Sequence, residues 1–341
     1  MAYAQPTPIL EVRDLHVEFD TMSGLVQGLR GVSFSVMPGE TLALVGESGS
    51  GKSVTAQAVM GLIGLPGSIV SGDILWKGQS LLTPEGQKKA ASLRGKSLSM
   101  VFQDPMTSLN PLMTIGAHLV EVLRRHMKLS KPQAFARGAE LLEAVGITEP
   151  RRRMAQYPHE FSGGMRQRVM IALAIACEPD LLIADEPTTA LDVTIQAQVL
   201  DLLADLQKSM GLSIVLITHD LGIVAGLCER VAVMYAGSIV EAGSAATVFE
   251  QAEHPYTQGL IRSTPRLDDR RDRLVSIEGA PPSLLHPPKG CAFQSRCPVA
   301  SRQCDTKPAR QVTPAGGSVS CWTPSLPAWA DVAKTTEVHA R

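Results

Sequence analysis

The chain has 341 residues, 44% of them hydrophobic and 19% charged, with a net charge of −1 at neutral pH. That length allows one large domain with an appendage, or two domains. The near-neutral balance and an aromatic content of 4% argue against a global basic field or a base-stacking surface, and so against a nucleic-acid partner.

Met1 to Pro8 lacks the charged-then-apolar layout of a signal peptide. Leu10 to Phe19 and Leu29 to Val36 alternate apolar and polar residues and predict half-buried strands. Thr41 to Val45 is a short apolar run suited to a buried parallel strand, followed by a glycine-rich loop and a helix. The longest uncharged run, Ser53 to Gly72, raises the question of a membrane span; Pro66 and several glycines interrupt it, and a soluble helix is expected instead. Leu98 to Phe102, Leu181 to Ala184 and Ser213 to Thr218 predict further strands. Val231 to Tyr235 and Ser238 to Glu241 flank Ala236-Gly237, a hairpin signal.

Between the strands lie helices. Ser130-Lys131-Pro132-Gln133 has the form of a capping box, opening a helix that Gly146 stops. Thr194 to Met210 carries an apolar stripe of Ile195, Val199, Leu202, Leu203 and Leu206 and ends at Gly211. Alternating strands and helices define an α/β fold with a mostly parallel sheet. Residues from about 106 to 168 are helical between two strands and read as an inserted helical subdomain. After about residue 250, repeated prolines and the mixed-charge run Arg266 to Arg273 read as a linker to a small cysteine-bearing module. Cys177 and Cys228 stand alone in apolar patterns and are expected as small buried hydrophobes. Arg151-Arg152-Arg153 reads as a solvated face.

Gly46-Glu47-Ser48-Gly49-Ser50-Gly51-Lys52-Ser53 matches the P-loop pattern in full, with a strand before and a helix after. Its glycines let backbone N–H groups surround phosphate oxygens at a helix N-terminus. Lys52 would reach the β/γ-phosphates and Ser53 would offer its hydroxyl to Mg²⁺. Leu181-Leu182-Ile183-Ala184-Asp185-Glu186 is an apolar strand ending in two carboxylates. Asp185 would help hold Mg²⁺, and Glu186 would polarise an attacking water. ATP and Mg²⁺ are therefore the expected ligands.

Five motifs in order then carry a family resemblance. Phe161-Ser162-Gly163-Gly164-Met165-Arg166-Gln167-Arg168 resembles the signature motif of ABC (ATP-binding cassette) ATPases. Gln103 resembles the Q-loop glutamine, Ala190-Leu191-Asp192 the D-loop, and His219 the switch histidine. The resemblance covers residues from about 9 to 250. It implies a P-loop NTPase core with the inserted helical subdomain and an antiparallel β subdomain, and a head-to-tail dimer. ATP would lie between Lys52 of one subunit and the signature Ser162, Gly163 and Gly164 of the other, with Gly46, Ser48, Gly49, Ser50 and Gly51 cradling phosphate and Asp192 at the dimer contact. Gln103 is implied as a further Mg²⁺ ligand, and His219 as the group that contacts the γ-phosphate and orients Glu186. Phe19 resembles the aromatic that stacks on adenine; its pattern fits a core phenylalanine equally. Met165 departs from the glutamine common at that position of the signature.

Longer stretches, Tyr157 to Ala172, Leu182 to Gln196, His254-Pro255-Tyr256-Thr257 and Gly290 to Pro298, are similar to the ATPase subunits of oligopeptide/dipeptide importers. The resemblance implies a domain at 1–250 and an importer-type extension at 251–341. It also implies a peripheral location on the cytoplasmic face of the membrane. Its partners would be two membrane permeases, a second homologous ATPase or a second copy, and an extracytoplasmic binding protein. Asp104 to Met113 would lie near the permeases. A subunit of the same type serving nickel or another small solute, and a non-transport ABC ATPase, are the alternatives.

Cys291, Cys297, Cys304 and Cys321 lack the paired spacing of common zinc folds. A reducing cytosol argues against disulfides. A [4Fe–4S] cluster, zinc and unmetallated thiols are each compatible with four such residues. The family resemblance favours the iron–sulfur cluster, with a structural role, while a redox-gated tail is a further reading.

Overall fold

The structure is a computed structural model and describes residues 7–104, 108–189, 191–263, 276–325 and 329. In chain order the elements are β1 (Leu10–Thr21), β2 (Gly24–Val36), β3 (Thr41–Val45), α1 (Lys52–Val59), β4 (Gly67–Trp76), β5 (Gln79–Ser80), α2 (Pro84–Leu93) and β6 (Leu98–Val101). Then come α3 (Ile115–Met127), α4 (Lys131–Ala144), α5 (Pro150–Arg153), α6 (Gly163–Ile175), β7 (Leu181–Asp185), α7 (Val193–Met210) and β8 (Ser213–Thr218). The chain continues through α8 (Leu221–Leu227), β9 (Arg230–Tyr235), β10 (Ser238–Ser244), α9 (Ala245–Glu250), α10 (Pro255–Ser263), β11 (Gln311–Val312) and β12 (Ser318–Val319).

Among the described residues these strands make two sheets. An antiparallel sheet runs β2-β1-β4-β5, and an eight-stranded sheet runs β11-β12-β10-β9-β3-β8-β7-β6. The central strands β9, β3, β8, β7 and β6 are parallel. They are buried on both faces, which is why their sequences are continuous apolar runs. Alternate residues serve two cores. Leu42, Leu44, Leu181, Ile183, Val215 and Ile217 face the antiparallel sheet and α1, whereas Ala43, Val45, Leu182, Ala184, Ile214 and Leu216 face the helices.

The helical segment of the sequence forms α3, α4, α5 and α6. The capping box at Ser130 and Gln133 is formed, and Ser162 caps α6 by accepting from the Met165 N–H at 3.3 Å. The stripe of α7 buries Val199, Leu203 and Leu206, with Ile195 and Leu202 half-buried against the same core; Asp192 caps its start and Gly211 closes it in the left-handed region. Ala236 and Gly237 both take positive φ, the mirror-image turn that matches the twist of a two-residue hairpin. β2 begins at Gly24, earlier than the sequence alternation suggests, and β4 and β5 are strands the alternation does not reveal. Cys228 is buried, and desolvation pushes its thiol up to about 12; Cys177 is half-buried and shifted the same way.

No helix among the described residues is long and apolar enough to cross a membrane. The Arg266 to Arg273 run and Ala190 lie outside the described residues, as do positions 105–107.

Candidate nucleotide site

The loop between β3 and α1 curls over the end of the central sheet. Gly46 sits at φ +155, and a Cβ there would come within 2.2 Å of the Met234 carbonyl oxygen, so only glycine allows the loop to lie against β9. Gly49, at φ +79, has nothing within 4 Å of where its Cβ would be, and the loop is open on that side. This is a concavity a phosphate group can fill, bordered by the N-terminus of α1. Lys52 is buried. Its ammonium donates to the carbonyls of Gly46 (2.8 Å) and Glu47 (2.9 Å), and desolvation lowers its pKa.

Next to it, Ser53 donates its hydroxyl to an Asp185 carboxylate oxygen at 3.1 Å. Burial lifts the Asp185 carboxyl above its ordinary value, against the opposing hydrogen bond from Ser53. A hydroxyl and a buried carboxylate side by side suit a hard divalent cation, which would restore the ionised form of Asp185.

Glu186 follows β7 directly at φ +46, a conformation rare outside glycine. This backbone turn brings three groups to one carboxylate. Gln103 Nε2 donates at 3.0 Å, Thr189 Oγ1 donates at 2.9 Å, and His219 Nδ1 lies 3.5 Å away. Phe19, Gly28, Ser48, Gly49, Gly51, Lys52, Ser53, Gln103 and Glu186 line a common cavity of about 270 Å³. The Phe19 ring is wedged where Cβ atoms on Gly28 or Gly67 would fall, at 2.7 and 2.6 Å from it. Phe19 therefore packs against backbone on two sides while lining the cavity.

Ser162, Gly163 and Gly164 stand apart from this cavity. A Cβ on Gly164 would meet Ile195 of α7 at 2.5 Å, and one on Gly163 would meet Leu191 at 3.7 Å, so the signature segment packs beside the start of α7, where Asp192 caps by accepting from Ile195. Within one chain, then, the P-loop set converges and the signature set does not join it.

The sequence did not single out Thr189, nor Leu284, which reaches the cavity from the C-terminal extension. Thr189 could have been suspected from its position three residues after Glu186. Leu284 leaves no local signal.

The four tail cysteines are free thiols. Burial raises Cys291, Cys321 and Cys297, the last to about 11, and neighbouring thiols add to each shift. Cys291 and Cys304 are also tied by a backbone bond of 2.8 Å. Among the described residues no group of three or more His, Cys, Asp or Glu side chains is placed to hold a metal ion, so the expected zinc or iron–sulfur site has no ligand set drawn together there.

This fold and loop chemistry define a P-loop ATPase. Residues 29–189 match the ABC transporter family, and residues 240–304 match the family described as oligopeptide/dipeptide transporter, C-terminal region. The chain is 51% identical over 316 residues to the dipeptide transport ATP-binding protein DppD of Bacillus subtilis, covering 92% of this chain and 94% of that one. It is 56% identical over 298 residues to the oligopeptide transport ATP-binding protein OppD of the same organism, covering 87% and 83%. Its structure resembles that of cbiO1 from Clostridium perfringens, part of the ABC transporter complex cbiONQ, at 30% identity and a TM-score of 0.60 over 71% of this chain and 91% of that one. At the level of fold it also resembles the dimeric ATP-binding cassette MJ0796 in a post-hydrolysis state bound to ADP and Pi, with a TM-score of 0.62, 24% identity, and coverage of 69% and 98%. The chain belongs to the family of ATP-binding proteins of oligopeptide/dipeptide ABC transporters, and is an ATP-hydrolysing enzyme.

Proposed function

We propose that this subunit hydrolyses ATP to drive uptake of oligopeptides or dipeptides across the cytoplasmic membrane. The observation that carries the reading is one cavity lined by the Lys52 loop, Ser53, Gln103 and Glu186, with Asp185 bonded to Ser53 and with Thr189 and His219 against the Glu186 carboxylate. The phosphate groups would be cradled by Gly46, Ser48, Gly49, Ser50 and Gly51, with Lys52 on the β/γ oxygens and Phe19 beside the base. Ser53, Asp185 and Gln103 would hold Mg²⁺, which when bound polarises the phosphoryl oxygens. Glu186 would accept a proton from the attacking water, and His219 would orient Glu186 and the γ-phosphate. The separation of Ser162, Gly163 and Gly164 from Lys52 within one chain supports a head-to-tail dimer, in which Asp192 would lie at the contact. The nucleotide-binding domain would span residues 1–250, with the helical subdomain at about 106–168, and the extension 251–341.

The proposed setting is the cytoplasmic face of the membrane, with two permeases, a second ATPase or second copy, and an external binding protein. Asp104 to Met113 would face the permeases. A [4Fe–4S] cluster in the extension is carried by the four tail cysteines of the sequence and the family resemblance, not by a ligand set drawn together in the structure, and it is tested by iron analysis and visible absorption after anaerobic purification. Iron near four per chain supports it, and iron-free protein with intact ATPase removes it.

Reconstitution of the complete transporter in vesicles tests the main reading. ATP-dependent accumulation of a labelled dipeptide or oligopeptide, lost in Lys52→Ala, is the expected result. Accumulation of nickel with no response to peptide would instead assign the small-solute alternative.

A further inference from the structure

Glu47, the second residue of the phosphate loop, is held from outside the loop. Its N–H donates to the Tyr256 hydroxyl at 2.9 Å. Its carboxylate receives both arms of the Arg296 guanidinium, at 2.7 and 3.0 Å. Its carbonyl accepts from Lys52 at 2.9 Å. Every polar group of this residue is thus engaged. The C-terminal extension supplies the partners of the first two, and the phosphate-binding lysine supplies that of the third.

The Arg296 fork is itself fixed. Nε donates to the Glu278 carbonyl and Nη2 to the Ile277 carbonyl, both at 3.0 Å, and Nη1 reaches the Tyr235 hydroxyl at 3.3 Å. The Tyr235 and Phe293 rings lie 5.8 and 5.9 Å from the guanidinium carbon, and the side chain is only 4% exposed. A planar, bidentate and buried fork of this kind has one geometry, which a lysine could not reproduce. Below Tyr256, His254 accepts the Tyr256 N–H at 3.0 Å, while Glu241 accepts the His254 N–H at 3.0 Å. On the opposite side the loop rests against the Met234 carbonyl at Gly46. The loop is therefore gripped between strand β9 and the extension.

We propose that Arg296, assisted by Tyr256, is a positioning residue for ATP hydrolysis: it fixes the Glu47 peptide whose carbonyl holds Lys52, and through it the C-terminal extension sets nucleotide affinity. The inference rests on Gly46–Ser53 being the nucleotide loop. Catalytic geometry tolerates little displacement, and a loop freed on one side would hold its lysine less well.

The test uses the full chain for equilibrium Mg-ATP binding and thermal melting, and the assembled transporter for KM and kcat, all well below the melting temperature. Arg296→Ala is expected to weaken Mg-ATP binding about tenfold and to raise KM by a similar factor, the loss of one charge-assisted bidentate contact. Arg296→Lys, which keeps the charge and loses the fork, is expected to fall between that variant and wild type. Wild-type affinity and KM in both variants, whatever happens to the melting temperature, would overturn the proposal and leave Arg296 as a structural strap. Should Arg296→Ala fail to fold, Arg296→Lys and Glu47→Gln decide by the same readouts. Lys52→Ala, with the Arg296 pair intact, is the control for the loop itself. Wild-type affinity in that variant would remove the nucleotide-loop reading and this inference with it.

Discussion

Gln103 and Glu186 are 83 residues apart in sequence, and the Gln103 amide donates to the Glu186 carboxylate at 3.0 Å. One lies two residues beyond β6 and the other directly after β7, strands that are parallel neighbours, so the pairing of the sheet delivers both to one point. With Thr189 on the same oxygen, the carboxylate has a fixed direction. Glu186→Gln keeps the shape and removes the base. Turnover is expected to fall by roughly 10²–10⁴-fold with Mg-ATP affinity retained. Single-turnover hydrolysis and equilibrium binding on the same preparation check this, and wild-type turnover would remove Glu186 from its role.

Asp185 gives a pH dependence with a defined sign. Its carboxyl is raised by burial, so in the ligand-free state the folded chain binds a proton that the unfolded chain has released. Stability of the free form therefore falls as pH rises from the ordinary carboxylate value to the raised one. Cation binding requires the ionised form, so Mg²⁺-dependent nucleotide affinity is expected to weaken as pH drops below that raised value, by up to about tenfold per unit. Asp185→Asn should bind Mg²⁺-nucleotide poorly and show no such slope. Titrations across pH with and without Mg²⁺ are the measurement.

His254 supplies the opposite slope. It is fully buried, accepts the Tyr256 N–H on Nδ1 and is therefore neutral; burial holds its pKa down at about 3. An unfolded histidine takes up a proton below about 6.5. The folded chain then loses stability as pH falls from that value to about 3, at up to roughly 1.4 kcal/mol per unit. His254→Gln should be less stable than wild type at neutral pH and flatter in acid. Urea midpoints at several pH values would show it; parallel profiles would refute it.

How much of this could be read from the sequence depends on range. The strands β3 and β8 fall at the residues their apolar runs mark, because burial on both faces leaves an unbroken hydrophobic signature. The P-loop and the β7 carboxylates are contiguous in the chain and equally plain. β4 was not visible: Gly67–Trp76 mixes glycine, serine and apolar residues with an irregular burial pattern, and its strand character comes from pairing with β1. The Arg296–Glu47 contact joins residues 249 positions apart, and nothing near either one announces the other. His254-Pro255-Tyr256 could be noticed as a motif, but its work as a support for the loop appears only in three dimensions.

Ser162 provides a separate test of assembly. Its hydroxyl caps its own helix and lies away from the Lys52 cavity. Ser162→Arg should leave Mg-ATP binding to the isolated chain intact and lower turnover of the assembled transporter by roughly tenfold or more, since an anion-binding helix end is obstructed. Lost binding in the isolated chain would place Ser162 in its own chain's site instead.

The extension also closes the main sheet. Strand β12 pairs with β10 at Glu241–Val319 and Ala242–Ser318, and the two-residue β11 lies outside it with both residues exposed. A shortened chain ending near residue 250 would leave the backbone of β10 as a bare row of donors and acceptors beside apolar side chains, the template on which strands of other copies stack. Such a fragment should precipitate or form soluble aggregates rather than yield a minimal ATPase. The last part of the chain thus guards solubility as well as the nucleotide loop, and fragments for crystallisation or screening are better cut after residue 325 than before 311.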